Sequence, residues 1–162
     1  MKKCVFLFLI CVLLSGCAAE ATFETIADDL VQSAAAPMAQ VHLELPEEAA
    51  APVSENENGV LYQCDGYEIL VQTLEAGDLD ATLRSVTGRS REDLTFIETE
   101  NGDGKRYDLV WTCLGEEGEQ VGRACLLDDG NYHYVLSVLG DADRTGEFEA
   151  VWEKIFSSYC LG

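Results

Sequence analysis

The spacing of apolar and polar positions divides the chain into segments of two different periods. Val41-His42-Leu43-Glu44-Leu45 alternates apolar with polar before Pro46, which predicts a strand. Residues 59–64 and 67–74 predict two more, joined by Asp65-Gly66, a pair that supplies the positive φ angles of a tight hairpin. Leu79, Leu83 and Val86 then recur at i, i+4 and i+7, so residues 78–87 predict a short helix with Asp78 at its N-cap and Gly88 past its end. Further strands follow at 94–99, 105–114, 119–127 and 132–139, separated by turn signals at 101–104, 115–118 and 128–131. Turns this short force antiparallel neighbours, so these strands predict a meander.

Along the meander, Tyr107, Leu109, Trp111 and Cys113 are expected to share a face with Val121, Cys125, Leu127, Tyr134, Leu136 and Val138. The opposite face, with Val110, Thr112, Gly122, Ala124, Val135 and Ser137, is smaller but still uncharged. A sheet wet on one side alternates apolar with polar more cleanly, so both faces are read as covered. Phe148, Val151, Trp152, Ile155, Phe156 and Tyr159 supply one cover, because their spacing makes a single apolar stripe on a long C-terminal helix. The class predicted is α+β: an antiparallel sheet of about six or seven strands flanked by helices. Residues 47–58, rich in Glu, Ala and Pro, read as a loop. The Ala-rich stretch 18–39 reads as a tether, in which Phe23, Ile26, Ala27, Leu30 and Val31 could form a short amphipathic helix that Pro37 stops.

The N-terminus has another pattern. Met1-Lys2-Lys3 precedes the apolar run 5–14, too short for a bilayer that needs about 20 residues, which is the form of a cleaved export signal. The run ends in Leu14-Ser15-Gly16-Cys17, which resembles the lipobox of bacterial lipoproteins. That resemblance implies cleavage between Gly16 and Cys17 and a diacylglyceryl group on the Cys17 thiol, with fatty acyl chains such as palmitate. The competing reading is an ordinary secretory signal that happens to meet a cysteine. The organisation expected is a lipoprotein signal peptide at 1–16, a lipidated N-terminus and tether at 17–39, and a single α+β domain at 40–162. The protein is then extracytoplasmic and held to a membrane by lipid, since two acyl chains anchor stably where one does not.

Charge narrows the partners. The chain has 10 basic and 30 acidic residues; loss of Lys2 and Lys3 with the leader leaves 8 basic residues and a net charge of −22. Phosphate backbones need a cationic surface, so a nucleic-acid partner is excluded. Anionic headgroups are repelled, which leaves the lipid as the only membrane attachment. Of seven cysteines, Cys64, Cys113, Cys125 and Cys160 lie after the tether. An even number in an exported protein permits two disulfides, with Cys113–Cys125 and Cys64–Cys160 the preferred pairing; four free buried thiols are the alternative. No C-x₂-C pair is present, so no zinc site is expected.

The order of elements resembles the PsbP-like fold, in which helices flank an antiparallel sheet in an α/β/α sandwich. Residues 41–46, 67–74 and, above all, the stretch from Asp128-Asp129-Gly130-Asn131-Tyr132-His133-Tyr134 to Leu161 carry the resemblance. It implies the fold, and a binding or assembly module without catalysis; no residue-level motif comes with it. Fold analogy is in any case a weak warrant for function.

Candidate chemistry is sparse. His42 and His133 lie on strands, with no adjoining motif of a nucleophile and its base. Gly102-Asp103-Gly104 lacks the strand-to-helix setting of a phosphate loop, and no cofactor motif is present. Asp141, Asp143 and Thr145 imitate positions 1, 3 and 5 of a calcium loop, with Gly146 at position 6, but Trp152 stands where a bidentate Glu is needed. Capping of the last helix by Asp143 or Thr145 competes with a weak cation site there. The functional expectation is a lipid-anchored module that binds an extracytoplasmic protein or small ligand, through whatever part of Tyr107, Trp111, Tyr132 and Tyr134 is exposed. The alternatives are an envelope hydrolase assembled around His133 and a weak calcium-binding protein.

Overall fold

A computed structural model describes residues 36–101, 104–116 and 118–162. The lipobox at 14–17, the amphipathic stretch from Phe23 to Val31, and the tips of two predicted turns at Gly102-Asp103 and Glu117 lie outside the described residues. The strands are β1 (Val41–His42), β2 (Ser54–Asn56), β3 (Gly59–Gln63), β4 (Tyr67–Glu75), β5 (Thr95–Asn101), β6 (Gly104–Leu114), β7 (Glu119–Asp128), β8 (Tyr132–Asp141) and β9 (Cys160–Leu161). The helices are α1 (Leu79–Thr87) and α2 (Thr145–Ser158).

Seven strands form one antiparallel sheet in the order β2-β3-β4-β8-β7-β6-β5. The β3–β4 hairpin turns at Asp65-Gly66, where Gly66 has φ 80°. A Cβ there would also meet the Arg144 guanidinium and, at 2.9 Å, the Phe148 ring. After β4 the chain crosses through α1 to the far edge, and β5 to β8 meander back until β8 pairs with β4 from Glu75↔Tyr132 to Tyr67↔Gly140.

Two local readings are corrected. Residues 47–58 are not simply a loop: they hold a 3₁₀ turn at Glu47–Ala49 and the edge strand β2, which pairs with β3 from Ser54↔Leu61 to Asn56↔Gly59. All three β2 residues are exposed, so no apolar alternation announces the strand. The strand expected at 41–45 is reduced to β1, and it joins not the main sheet but β9, through Val41↔Leu161 and His42↔Cys160.

Each face of the sheet is covered by a helix, but the side chains divide between the faces differently from the expectation. Directly paired residues share a face, and Leu109 pairs with Ala124 and Tyr107 with Leu126. Tyr107, Leu109 and Trp111 therefore point with Ala124, Leu126 and Val135 toward α1, where Leu79, Leu83 and Val86 close that core. Cys125, Leu127, Tyr134, Leu136 and Val138 point the other way, onto Phe148, Trp152, Ile155, Phe156 and Tyr159 of α2 and its C-terminal end. A pairing shift of one residue reverses every side chain of a strand, and with both faces apolar the hydrophobic pattern cannot set that parity. Small residues do admit close approach: the Trp111 indole sits on Gly122, where a Cβ would lie 2.2 Å from the ring.

Both helices are built from their own local signals. Asp78 caps α1 by accepting the Asp80 amide at 3.0 Å, and Gly88 ends it at φ 71°. At α2 neither Asp143 nor Thr145 caps: a 3₁₀ turn at Ala142–Arg144 leads in, and the Thr145 hydroxyl donates back to the Ala142 carbonyl at 2.9 Å. Arg144 instead bridges Asp65 of the β3–β4 turn and Glu147 of the helix, at 3.0 Å to each, fixing the start of α2 to the sheet.

Candidate functional site

His133 is 2% exposed on the α1 face of β8. Its Nδ1 lies 2.8 Å from the Thr82 hydroxyl, and its Nε2 is 3.8 Å from Asp128. A hydroxyl, an imidazole and a carboxylate in a row resemble a nucleophile with its base. Thr82 is itself buried, however, and neither Thr82 nor His133 lines any of the five principal surface clefts. Here they pin α1 to the sheet and satisfy each other's polar atoms. His42 is exposed on β1.

The aromatic surface is corrected to core. Tyr107, Trp111 and Tyr134 are buried, and Tyr132 is half-buried with its hydroxyl donating to the Ala36 carbonyl at 2.8 Å. The four cysteines of the preferred disulfide pairing, Cys64, Cys113, Cys125 and Cys160, are unpaired in this structure. Cys113 pairs in register with Gln120 and belongs to the α1 face, whereas Cys125 pairs with Asp108 and belongs to the α2 face, so their side chains point apart across the sheet. Cys64 is buried behind the β3–β4 turn, while Cys160 is exposed on β9, outside the last helix. Burial pushes the Cys125 thiol up to about 12, which leaves it protonated and inert.

Asp141, Asp143, Glu119 and Arg144 border an open cleft of about 580 Å³. Among the described residues no three His, Cys, Asp or Glu side chains come together as a metal site, and the Thr145 hydroxyl is turned back onto backbone. Trp152, at the last position of the calcium-loop pattern, is buried in the core.

One region of the sheet departs from the rule that apolar residues are covered. On β6 the residues facing α2 are Arg106, Asp108, Val110, Thr112 and Leu114. Arg106 closes the border of the helix by donating to the Tyr159 carbonyl at 3.1 Å and the Phe156 carbonyl at 3.3 Å, while Asp108 holds its guanidinium at 2.7 Å. Beyond that border α2 covers nothing: Val110 is 56% exposed, Leu114 87%, and Ile97, on the same face of β5, 68%. The edge is open as well. β5 begins at Thr95 opposite Val110, so Trp111 to Leu114 pair among the described residues only with Gly122 to Glu119 of β7. The Arg89 guanidinium fills part of this gap by donating to the Thr112 carbonyl, above a cleft of about 280 Å³ that Asp93, Thr95, Val110 and Thr112 also line. The sequence does carry a signal for this surface: charged Arg106 and Asp108 share the parity of Val110, which marks a face reaching water.

No protein-family model matches the chain, and no curated protein matches it in sequence. Solved structures do resemble it. Cyanobacterial PsbP (CyanoP) from Synechocystis aligns over 78% of this chain and 95% of its own, with TM-score 0.50 and 10% identity. A protein from Bacteroides thetaiotaomicron aligns over 75% of this chain and 45% of its own, with TM-score 0.47 and 9% identity. LpqN, involved in cell envelope biogenesis of Mycobacterium tuberculosis, aligns over 80% of this chain and 87% of its own, with TM-score 0.48 and 10% identity. Identities this low speak to architecture alone, and on the likeness to cyanobacterial PsbP, together with the seven-stranded sheet between two helices, the fold of this chain is PsbP-like.

Proposed function

We propose that the protein is a lipid-anchored extracytoplasmic binding module without catalysis, attached to its membrane through Cys17 and engaging a second component through the uncovered end of its sheet. The leader and the Leu14-Ser15-Gly16-Cys17 stretch support the anchoring. The observation that carries the binding role is the exposure of Ile97, Val110 and Leu114 on one face of two neighbouring strands. Single exposed apolar side chains are ordinary, but a contiguous set beside an open strand edge marks an interaction surface.

Two measurements test this. Mass spectrometry of the protein isolated from its host should find Cys17 as the first residue, carrying diacylglycerol; an unmodified thiol or a retained leader would remove the anchor. Photo-crosslinking from single positions in the native envelope should give discrete adducts from Leu114. Only diffuse labelling there and from the other exposed positions Met38 and Val53 would sink the binding role.

A further inference from the structure

The open end of β6 offers three things that together define what fits it. First, Thr112 and Leu114 are two apart on a strand, so their backbone groups point to the same, unpaired side. The Arg89 side chain occupies the Thr112 carbonyl there, a placeholder that an incoming backbone N–H can replace. Second, Val110, Thr112 and Leu114 repeat every second residue on the uncovered face, and Ile97 continues it onto β5. A strand laid along this edge would bring its own alternate side chains onto that row. Third, the rim is acidic. Asp93, ahead of β5, and Glu116 and Glu119, at the β6–β7 turn, are exposed around it. Of the neighbouring cations, Arg91 lies over the Phe96 ring at 5.3 Å, Arg106 is held by Asp108 at 2.7 Å and Arg123 lies over the Phe156 ring at 4.4 Å, while Arg89 holds the Thr112 carbonyl until a strand replaces it.

From this geometry we infer that the Trp111–Leu114 edge accepts a basic, extended segment of a partner protein, added as a strand, with apolar side chains at alternate positions against Val110 and Leu114. Charge decides the occupant. A second copy of this chain brings the same rim and a formal net charge of −20, so like charges would face one another, whereas Lys or Arg between the apolar positions of a partner meets Asp93, Glu116 and Glu119. The inference rests on the binding role proposed above and names the partner's chemistry and the element that holds it.

The test uses the full chain in a neutral detergent and two synthetic octapeptides of equal composition, one alternating lysine and valine, the other a block of four lysines followed by four valines. By NMR the alternating peptide should shift the amides of Thr112 and Leu114 and slow their hydrogen exchange, and it should bind at least about tenfold more tightly than the block isomer. The double substitution Val110→Lys and Leu114→Lys should weaken it by about tenfold or more. Val53→Lys, on an equally exposed valine preceding the opposite edge strand, should weaken it far less, since it changes net charge and leaves the row intact. Equal binding of the two isomers, or equal loss in the two lysine variants, would show attraction to net charge alone and overturn the inference. Self-association of the chain abolished by Leu114→Lys would overturn it in favour of a second copy. Failure of the peptide with discrete crosslinking kept at Met38 or Val53 removes this edge and leaves the binding role, while failure of both removes both.

Discussion

Tyr134 donates its hydroxyl hydrogen to Asp129 at 2.9 Å while the same oxygen accepts the Ala39 amide at 2.7 Å. A completely buried phenol is thereby satisfied on both sides, and it joins the β7–β8 turn to the segment that leads into β1. Removing the oxygen strands a backbone donor. Tyr134→Phe should therefore cost about 1–3 kcal/mol in chemical denaturation, more than the loss of one exposed hydrogen bond.

The same carboxylate gives a pH dependence. Burial pushes Asp129 up, but the Tyr132 and Asn131 amides and the Tyr134 hydroxyl outweigh it and hold the carboxyl below its ordinary value. A depressed folded pKa contributes stability that is present above the unfolded value of about 3.9 and is lost as pH falls through the lower folded value. The gap in urea midpoint between the wild type and Asp129→Asn should be full near neutrality and close below about pH 4. A gap that is unchanged at acid pH would show that the ionised carboxylate does not carry the turn.

Trp152 is the centre of the α2 face. It stacks on Phe148 with ring centroids 5.9 Å apart and meets Tyr67 edge-on at 6.2 Å, so the helix and the β3–β4 hairpin share one aromatic cluster. Truncation to Ala should cost about 3–5 kcal/mol and lower the melting temperature by many degrees, measurable by calorimetry.

Gly122 tests the other face. With the Trp111 ring lying where its Cβ would be, Gly122→Ala must displace an indole held between β7 and α1. Overpacking of this kind costs about 1–3 kcal/mol. The double variant Gly122→Ala with Trp111→Leu should recover part of that loss, which distinguishes the ring contact from a general penalty at the strand.

The thiols divide by exposure. At pH 8 iodoacetamide should modify Cys160 rapidly and Cys125 only as the protein unfolds, read by mass spectrometry of the two peptides. For Cys125 burial raises the folded pKa to about 12, above the ordinary thiol value. The stability linked to its neutral form is present below that ordinary value and declines as pH rises from there toward the folded one.

What the chain discloses before folding follows from which residues face a single environment. Leu79, Leu83 and Val86 meet only one surface, and Asp78 and Gly88 act locally, so α1 is legible to its caps. The stripe from Phe148 to Tyr159 is legible for the same reason. The facing of one strand against the next is not, because Val121 to Leu127 and Tyr134 to Val138 carry apolar residues at both parities, and the Cys113–Cys125 pairing inherits that ambiguity. β2 and β9 are invisible because their partners, not their side chains, make them strands. For Val110 and Leu114 the charged Arg106 and Asp108 at the same parity hint at water, but how much of the face is open depends on the length of β5 and the reach of α2.

The β1–β9 pair has a mechanical consequence. Gly162 donates to the Gln40 carbonyl at 2.8 Å and Val41 lies against Leu161, so both ends of the domain meet at a two-rung clasp separate from the seven-stranded sheet. Force arriving along the polypeptide from residue 36 is borne first by this clasp and by the phenols of Tyr132 and Tyr134, which hold Ala36 and Ala39. A tug on Ala36 should peel that short lap joint before it loads the sheet, leaving the edge of β6 and its neighbours folded while the first strand gives way.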